Sequence, residues 1–148
     1  MRLNPENNYI CKYINMPTDE EEYAFGLAQE EYLKPLLESY FDTELEETDK
    51  WDPFDFVGDK IKIELKSRRN TYNKYPTTIV GMYKIHQVKE NFGDHYFVFN
   101  FTDGLYYWKY NFEDMDNFKV IYLKRNDRSG KKYQYLSIPI EKLTKIDL

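Results

Sequence analysis

The most regular pattern in this sequence lies at residues 51–66, which read Trp51-Asp52-Pro53-Phe54-Asp55-Phe56-Val57-Gly58-Asp59-Lys60-Ile61-Lys62-Ile63-Glu64-Leu65-Lys66. After the Gly58-Asp59 pair, apolar and charged residues alternate with a period of two, which is the spacing of a half-buried β-strand. Gly58-Asp59 suits a two-residue turn, and the aromatic residues before it supply a second strand. We therefore predict a β-hairpin in which Val57 pairs with Lys60 and Phe56 with Ile61.

The predicted hairpin has one apolar face and one charged face, because side chains alternate along a strand. The apolar face would be formed by Phe54, Phe56, Ile61, Ile63 and Leu65, and the charged face by Asp55, Lys62, Glu64 and Lys66. In this register Asp55 is diagonal to Glu64, with backbones about 7–8 Å apart, so the two carboxylates can converge on one ion. Asp52 falls on the apolar side and is a poorer candidate.

A long helix is predicted before the hairpin. Thr18-Asp19-Glu20-Glu21 combines a capping residue with acids in the first turn, and helical spacing continues to about Phe41. Its broad apolar face also carries Glu30. Pro35 removes one backbone hydrogen bond, which predicts a kink or a break into two helices near Lys34.

Beyond the hairpin the sequence predicts a loop from Arg68 to Thr78, a short helix over 82–91 and four more strands. The strands cover 96–101, 105–110, 118–124 and 133–138, with turn signals at Asp103-Gly104 and at 126–130. This pattern indicates one α+β domain over residues 1–148, with a mostly antiparallel or mixed central sheet flanked by helices. A length of 148 residues is enough for one well-packed domain and too little for two.

Composition excludes several classes of protein. With 41% hydrophobic and 18% aromatic residues, the chain should fold rather than remain disordered. No apolar run approaches the roughly 20 residues of a membrane span, so no membrane association is expected. The N-terminus lacks the apolar stretch of a secretory signal, and the single cysteine, Cys11, cannot form an internal disulfide. We therefore expect the cytoplasm or another reducing intracellular compartment.

Charge is unevenly distributed along the chain, whose formal net charge is -5. Residues 18–59 carry 15 acids and two bases, whereas residues 60–148 carry 10 acids and 17 bases. This segregation is compatible with an acidic pocket beside a basic surface that faces phosphates.

Two carboxylates brought together repel each other, and a divalent cation removes that repulsion. Oxygen ligands from one or two carboxylates, completed by water, describe a Mg²⁺ site that also binds a substrate phosphate, with Mn²⁺ as a substitute. Glu30 would add a third carboxylate from the helix. Lys66 lies two residues beyond Glu64, where its ammonium could orient an attacking water and stabilise charge on the phosphate.

This arrangement resembles the PD-(D/E)XK nuclease superfamily, whose core is a helix followed by a hairpin with Asp on one strand and (D/E)-x-K on the next. Asp55 resembles the first acid, Glu64-Leu65-Lys66 the (D/E)-x-K element, and Glu30 the helix acid of many members. The family usually follows this hairpin with a helix and another strand, as residues 82–91 and 96–101 would supply. The resemblance covers about residues 19–101, and the strands at 104–140 form an unassigned extension.

The resemblance implies a Mg²⁺-dependent deoxyribonuclease of repair, recombination or restriction type, cutting DNA phosphodiester bonds as an endonuclease. Asp55, Glu64 and the Leu65 carbonyl would hold the ion, with Glu30 as a further acid, while Lys66 assists the water. DNA would be the partner, and a homodimer is an option where two strands must be cut. Predicted contacts to DNA come from basic and polar residues around the site: Lys60, Arg68, Arg69, Lys74, Lys84 and Gln87.

Two alternatives remain open at this stage. The hairpin charges can be ordinary cross-strand ion pairs on a solvated sheet face, and Lys84 and Gln87 can lie on a solvated helix face. The chain can also be a non-catalytic module on a nuclease-like fold, in which the aromatic second half binds a protein or DNA. Alternation in those aromatic segments favours a buried core instead.

Overall fold

Two β-sheets and one long helix form three layers. The computed structural model describes residues 18–124 and 130–148, so Cys11 and most of the predicted turn at 126–130 lie outside the described residues. In chain order the elements are α1 (Asp19–Phe41), β1 (Glu46–Glu47), β2 (Phe56–Gly58), β3 (Ile61–Ser67), β4 (Thr77–Gly81), α2 (Met82–Val88), β5 (Asp94–Phe101), β6 (Gly104–Lys109), α3 (Phe112–Met115), β7 (Lys119–Lys124), β8 (Lys132–Pro139), a 3-10 turn (Ile140–Lys142) and β9 (Thr144–Lys145).

The larger sheet has six strands in the order β1-β2-β3-β5-β6-β9, and the smaller has three in the order β4-β8-β7. β3 and β5 run parallel, while the other neighbours are antiparallel. The predicted α+β class with a mixed sheet is therefore confirmed. The second sheet is not part of the prediction, because its strand β4 begins in the predicted loop at Thr77 and continues through residues 79–81, which were assigned to no element.

Both faces of the six-stranded sheet are buried. On one face, Leu33 and Leu37 of α1 pack with Phe56, Ile63 and Val98. On the other face, a largely aromatic group from β5 and β6 packs against β4, α2 and β8; its buried members include Phe97, Phe99, Phe101, Trp108, Val80, Ile85, Leu136 and Ile138. The face of β3 that the sequence allows to be solvated is thus covered by the second sheet and α2.

Helix α1 is continuous through Pro35, so the predicted break into two helices is wrong. Thr18 caps it by accepting a hydrogen bond from the Glu21 amide at 3.1 Å. Burial of Leu33 and Leu37 on the sheet stabilises the helix by about 1.5–3 kcal/mol each, which offsets the roughly 3 kcal/mol cost of an internal proline. None of the helices within 18–124 and 130–148 combines the length and apolar composition needed to cross a membrane.

The β2–β3 hairpin forms, but its register differs by two residues from the predicted one. Phe56 pairs with Ile63 and Gly58 with Ile61, so the turn consists of Asp59 and Lys60, and Lys60 adopts a positive φ of 63°. Gly58 serves a different purpose, because a Cβ there would lie 3.0 Å from the Glu44 carbonyl oxygen. A shift of two residues preserves the side-chain parity, and the charged residues of β3 keep their shared face.

Phe54 does not share a face with Phe56, contrary to the prediction. Strand β2 begins only at Phe56, and Phe54 is buried with Phe97 and Phe99 on the opposite side of the sheet. The chain leaves the sheet here because its carbonyls are held by side chains: Thr48 Oγ1 donates to the Phe54 oxygen, and Lys84 Nζ donates to the Pro53 oxygen. This departure opens the sheet beside β3 and creates the space described next.

Candidate active site

Asp55 lies where β2 separates from β3, and its side chain takes the place of a backbone acceptor for β3. Its Oδ2 accepts a hydrogen bond of 2.7 Å from the Leu65 amide, which would otherwise bond to the next backbone carbonyl of β2. Continuing the register of the hairpin sets Asp55 directly across from Glu64 rather than diagonal to it. Because the N–H and C=O of one strand residue point to the same side, the Leu65 carbonyl also faces this gap.

Glu64 is buried with only 2% of its side chain exposed, and two lysines approach the same oxygen. Lys84 Nζ lies 3.0 Å from Oε2, at an angle that leaves this oxygen without a well-directed hydrogen bond, and Lys66 Nζ lies at 3.7 Å. Burial, followed by the neighbouring Asp55, raises the pKa of Glu64 from 4.5 to about 8, although both lysines act in the opposite direction. Burial and the neighbouring Asp55 carboxylate together therefore outweigh the two lysines.

Glu30 joins this pair from α1 and is half-buried. Its carboxyl is within hydrogen-bonding reach of Asp55, as the Glu64 carboxyl is, so Asp55 lies between the two glutamates. Burial is the largest cause that raises the pKa of Glu30 to about 8, followed by hydrogen bonding and charge repulsion from Asp55. Three carboxyl groups from three elements thus converge at the end of the hairpin.

Lys84 on α2 contacts both Glu64 and the chain segment before β2. Burial acts to lower the pKa of Lys84, but the Glu64 carboxylate outweighs burial and raises this pKa above its ordinary value. The ammonium also donates to the Pro53 carbonyl, so it joins the segment before β2 to the acid on β3. This dual contact fixes the separation of the chain segments that carry Asp55 and Glu64.

An open cleft of about 290 Å³ lies over the carboxylates. One wall is α1 around Gly26 and Glu30, and the other is formed by residues 48–52 and the strand ends. Asp49 and Asp52 add acidic groups to the rim. Each also caps a turn: the Asp49 carboxylate accepts a hydrogen bond from the Trp51 amide, and the Asp52 carboxylate accepts one from the Phe54 amide. The cleft is accessible to solvent and predominantly acidic.

The donors fit a hard divalent cation that keeps several waters. As the side chains stand, no group of three or more His, Cys, Asp or Glu in 18–124 and 130–148 forms a ready-made metal cage. Mg²⁺, however, is usually bound by only one or two carboxylates with water and substrate oxygens. Asp55, Glu64 and the Leu65 carbonyl supply such oxygens, and a cation would replace the protons that crowding holds on the carboxyl groups.

The structure brings together five of the predicted site residues: Glu30, Asp55, Glu64, Lys66 and Lys84. Leu65 is adjacent through its amide. Arg68 directly follows the last residue of β3, and its Nη2 donates to the Ile79 carbonyl.

Other predicted DNA contacts lie away from the carboxylates. Lys60 is in the hairpin turn at the far end of β3, and Lys74 stacks over the Tyr75 ring at 5.8 Å. Arg69 is an exception, because it pairs at 3.2 Å with Glu22 of α1, which lines the cleft. Gln87 is half-buried on α2, and its carbonyl accepts a hydrogen bond from Asn91.

The sequence analysis missed the ion pair between Lys84 and Glu64, although it named both residues. One signal for it exists: Lys84 lies four residues before the buried Val88 and therefore on the inner face of α2. Thr48, which anchors the chain before β2, carries no pattern that would distinguish it from any other threonine in an acidic connection.

No protein-family model matches this chain, no curated protein matches it, and no solved structure matches it. The geometry of the cleft is therefore what supports a function. Carboxylates able to bind a hard cation, next to two lysines and open to solvent, can bind and polarise a phosphate ester.

Proposed function

We propose that this chain is a divalent-cation-dependent deoxyribonuclease that hydrolyses DNA phosphodiester bonds, an endonuclease of the PD-(D/E)XK type. The observation that supports it best is the convergence of three carboxyl groups: Glu30 and Asp55 line the open cleft, and the buried Glu64 lies next to Asp55 with Lys66 Nζ 3.7 Å from its Oε2. The order of elements agrees with the resemblance: α1 precedes the β2–β3 hairpin, and α2 and then β5, the parallel neighbour of β3, follow it.

In this proposal Asp55, Glu64 and the Leu65 carbonyl would hold Mg²⁺, or Mn²⁺ in its place, with Glu30 as a third acid. The bound ion would lower the pKa of a water molecule and offset negative charge on the phosphate. Lys66, whose side chain is 39% exposed and whose Nζ lies 3.7 Å from Glu64 Oε2, would orient the water that attacks phosphorus. Lys84 acts differently, since it is buried against Glu64 and keeps that carboxylate in place.

Attack by water on the phosphate breaks one P–O ester bond and leaves the two strand segments as a phosphate and a hydroxyl. The proton of the water passes to a nearby base, and a proton returns to the leaving oxygen.

The test combines calorimetric titration of Mg²⁺ and Mn²⁺ with a plasmid-nicking assay. Wild type is compared with Asp55→Asn/Glu64→Gln and with a matched control, Glu90→Gln/Asp116→Asn, which removes two exposed carboxylates outside the cleft. We expect metal binding and nicking in wild type and control, and neither in the Asp55/Glu64 variant.

The opposite result would be equally informative. Equal metal binding in all three proteins, with no nicking, would refute the nuclease proposal. The carboxylates would then be structural, and a non-catalytic binding module on this fold would become the better description.

A further inference from the structure

A second and larger depression, of about 660 Å³, meets the acidic cleft at Lys84, which lines both. Its lining comes from the end of β3, from β4 with the start of α2, and from the first half of β8, the strand that pairs with β4. Four basic side chains line it together with His86: Lys66, Arg68, Lys84 and Lys132. This basic groove is the opposite in charge to the carboxylate cleft that it adjoins.

Arg68 gives the groove a built-in anion site. Arg68 is half-buried, its Nη2 donates to the Ile79 carbonyl at 2.5 Å, and its guanidinium carbon lies 5.9 Å from the Phe99 ring centre. Among the described residues no carboxylate forms an ion pair with it, and burial lowers its pKa. A guanidinium has five N–H donors in a planar fork, so donors remain for the oxygens of a phosphate.

Aromatic rings accompany the cations. Tyr83 is 61% exposed at the start of α2, and Tyr135 is half-buried on β8. Lys132, which is exposed, stands near the mouth of the groove on the same strand as Tyr135. Positive charge that follows a backbone, combined with rings on which bases stack, is the pattern of single-strand binding sites.

A single strand fits these features better than a duplex does. The bases of a duplex are stacked inside the helix, and a tyrosine ring can reach a base face only where the base is unpaired. Arg68, Lys132 and Tyr83 all line the groove, so a single strand in it would have phosphates near the two cations and a base near the tyrosine ring.

We propose that this groove binds a single strand of nucleic acid and delivers it past Lys84 to the carboxylates, which makes single-stranded DNA or an unpaired strand end the substrate class. This inference rests on the proposed function for the cleavage step. Strand binding itself depends only on the groove and can be measured without metal.

The test measures fluorescence anisotropy of a labelled oligo-dT and of a hairpin duplex of equal length, in EDTA so that no cleavage occurs. The variants are Tyr83→Ala and Lys132→Ala, both at exposed positions that folding does not require. Their matched controls are Tyr32→Ala on α1 and Lys145→Ala on β9, which are exposed and lie outside the groove.

We expect wild type to bind oligo-dT more tightly than the duplex. Tyr83→Ala should weaken oligo-dT binding by about 5- to 100-fold, because stacking on one base is lost. Lys132→Ala should reduce the slope of log K against log salt by about 0.7, the value for one phosphate contact in a single strand. Neither control should change affinity by more than about twofold.

Tighter binding of the duplex, no measurable oligo-dT binding, or an effect of Tyr83→Ala no larger than that of Tyr32→Ala would overturn the groove assignment. If the protein gives any of these results but still nicks plasmid DNA, the nuclease proposal would remain supported and only the groove assignment would be wrong. Tyrosine-dependent strand binding without any metal-dependent cleavage would support the groove and remove the proposed function.

Discussion

Stability of the metal-free protein should fall as pH rises from 6 to 8, because Glu64 is harder to ionise in the folded chain than in the unfolded chain. Its pKa is about 8 in the fold and 4.5 without burial. The folded state therefore retains a proton that the unfolded state has lost. The stabilisation that results is complete below pH 4.5 and disappears as pH rises through 8.

The size of this effect follows from the two pKa values. Integrating the proton difference for Glu64 between pH 6 and 8 gives a loss of about 2 kcal/mol. For a domain of this length, that loss corresponds to a decrease in Tm of about 4–8 °C. Glu30 acts in the same direction, but it is half-exposed and solvent screens its contribution.

The assay is thermal denaturation in EDTA at several pH values, followed by circular dichroism. Glu64→Gln, which cannot ionise, should show a flatter dependence of Tm on pH, whereas Glu31→Gln, an exposed carboxylate on the same helix as Glu30, should match wild type. Addition of Mg²⁺ at pH 8 should restore Tm in wild type and leave Glu64→Gln unchanged. A wild-type Tm that is constant or rises between pH 6 and 8 would refute this reasoning.

Three further predictions concern individual side chains. Lys66→Ala should fold normally and lose about 10²–10³-fold in nicking rate, measured beside Lys145→Ala, an exposed lysine on β9 that should retain wild-type activity. Equal rates in the two variants would contradict the role of Lys66. Lys84→Met should lower the free energy of unfolding at pH 8 by about 3–5 kcal/mol, measured by urea denaturation. The loss should be smaller at pH 6, because Glu64 then keeps its proton. A loss that does not depend on pH would argue against the ion pair. Leu37→Ala should cost about 2–5 kcal/mol, since Leu37 is fully buried between α1 and the sheet, and a change under about 1 kcal/mol would contradict this packing.

Local patterns in the sequence were sufficient for the elements around the site. The alternation at 61–66 predicted β3, the capping residues at 18–21 predicted the start of α1, and the apolar run at 96–101 predicted β5. The face shared by Glu64 and Lys66 was also predictable, because parity within one strand does not depend on its partners.

Features that depend on several segments at once were not predictable from local patterns. The hairpin register shifts by two residues because the segment at Glu44 and Leu45 packs against Gly58, which takes that glycine out of the turn. Pro35 stays within a continuous helix because the sheet buries Leu33 and Leu37 on either side of it. β4 is a strand because β8, more than 50 residues later, supplies its hydrogen bonds.

The sequence by itself determined the local placement of three acids and a lysine, at strand and helix spacings that bring carboxylates together. Tertiary structure decided what surrounds them. Only the packing of β4, α2 and β8 on the second face of the sheet buries Glu64, and only that packing brings Lys84 within 3.0 Å of it. The physical reason is that burial and long-range pairing depend on contacts between distant segments, whereas side-chain alternation depends on neighbours in the chain.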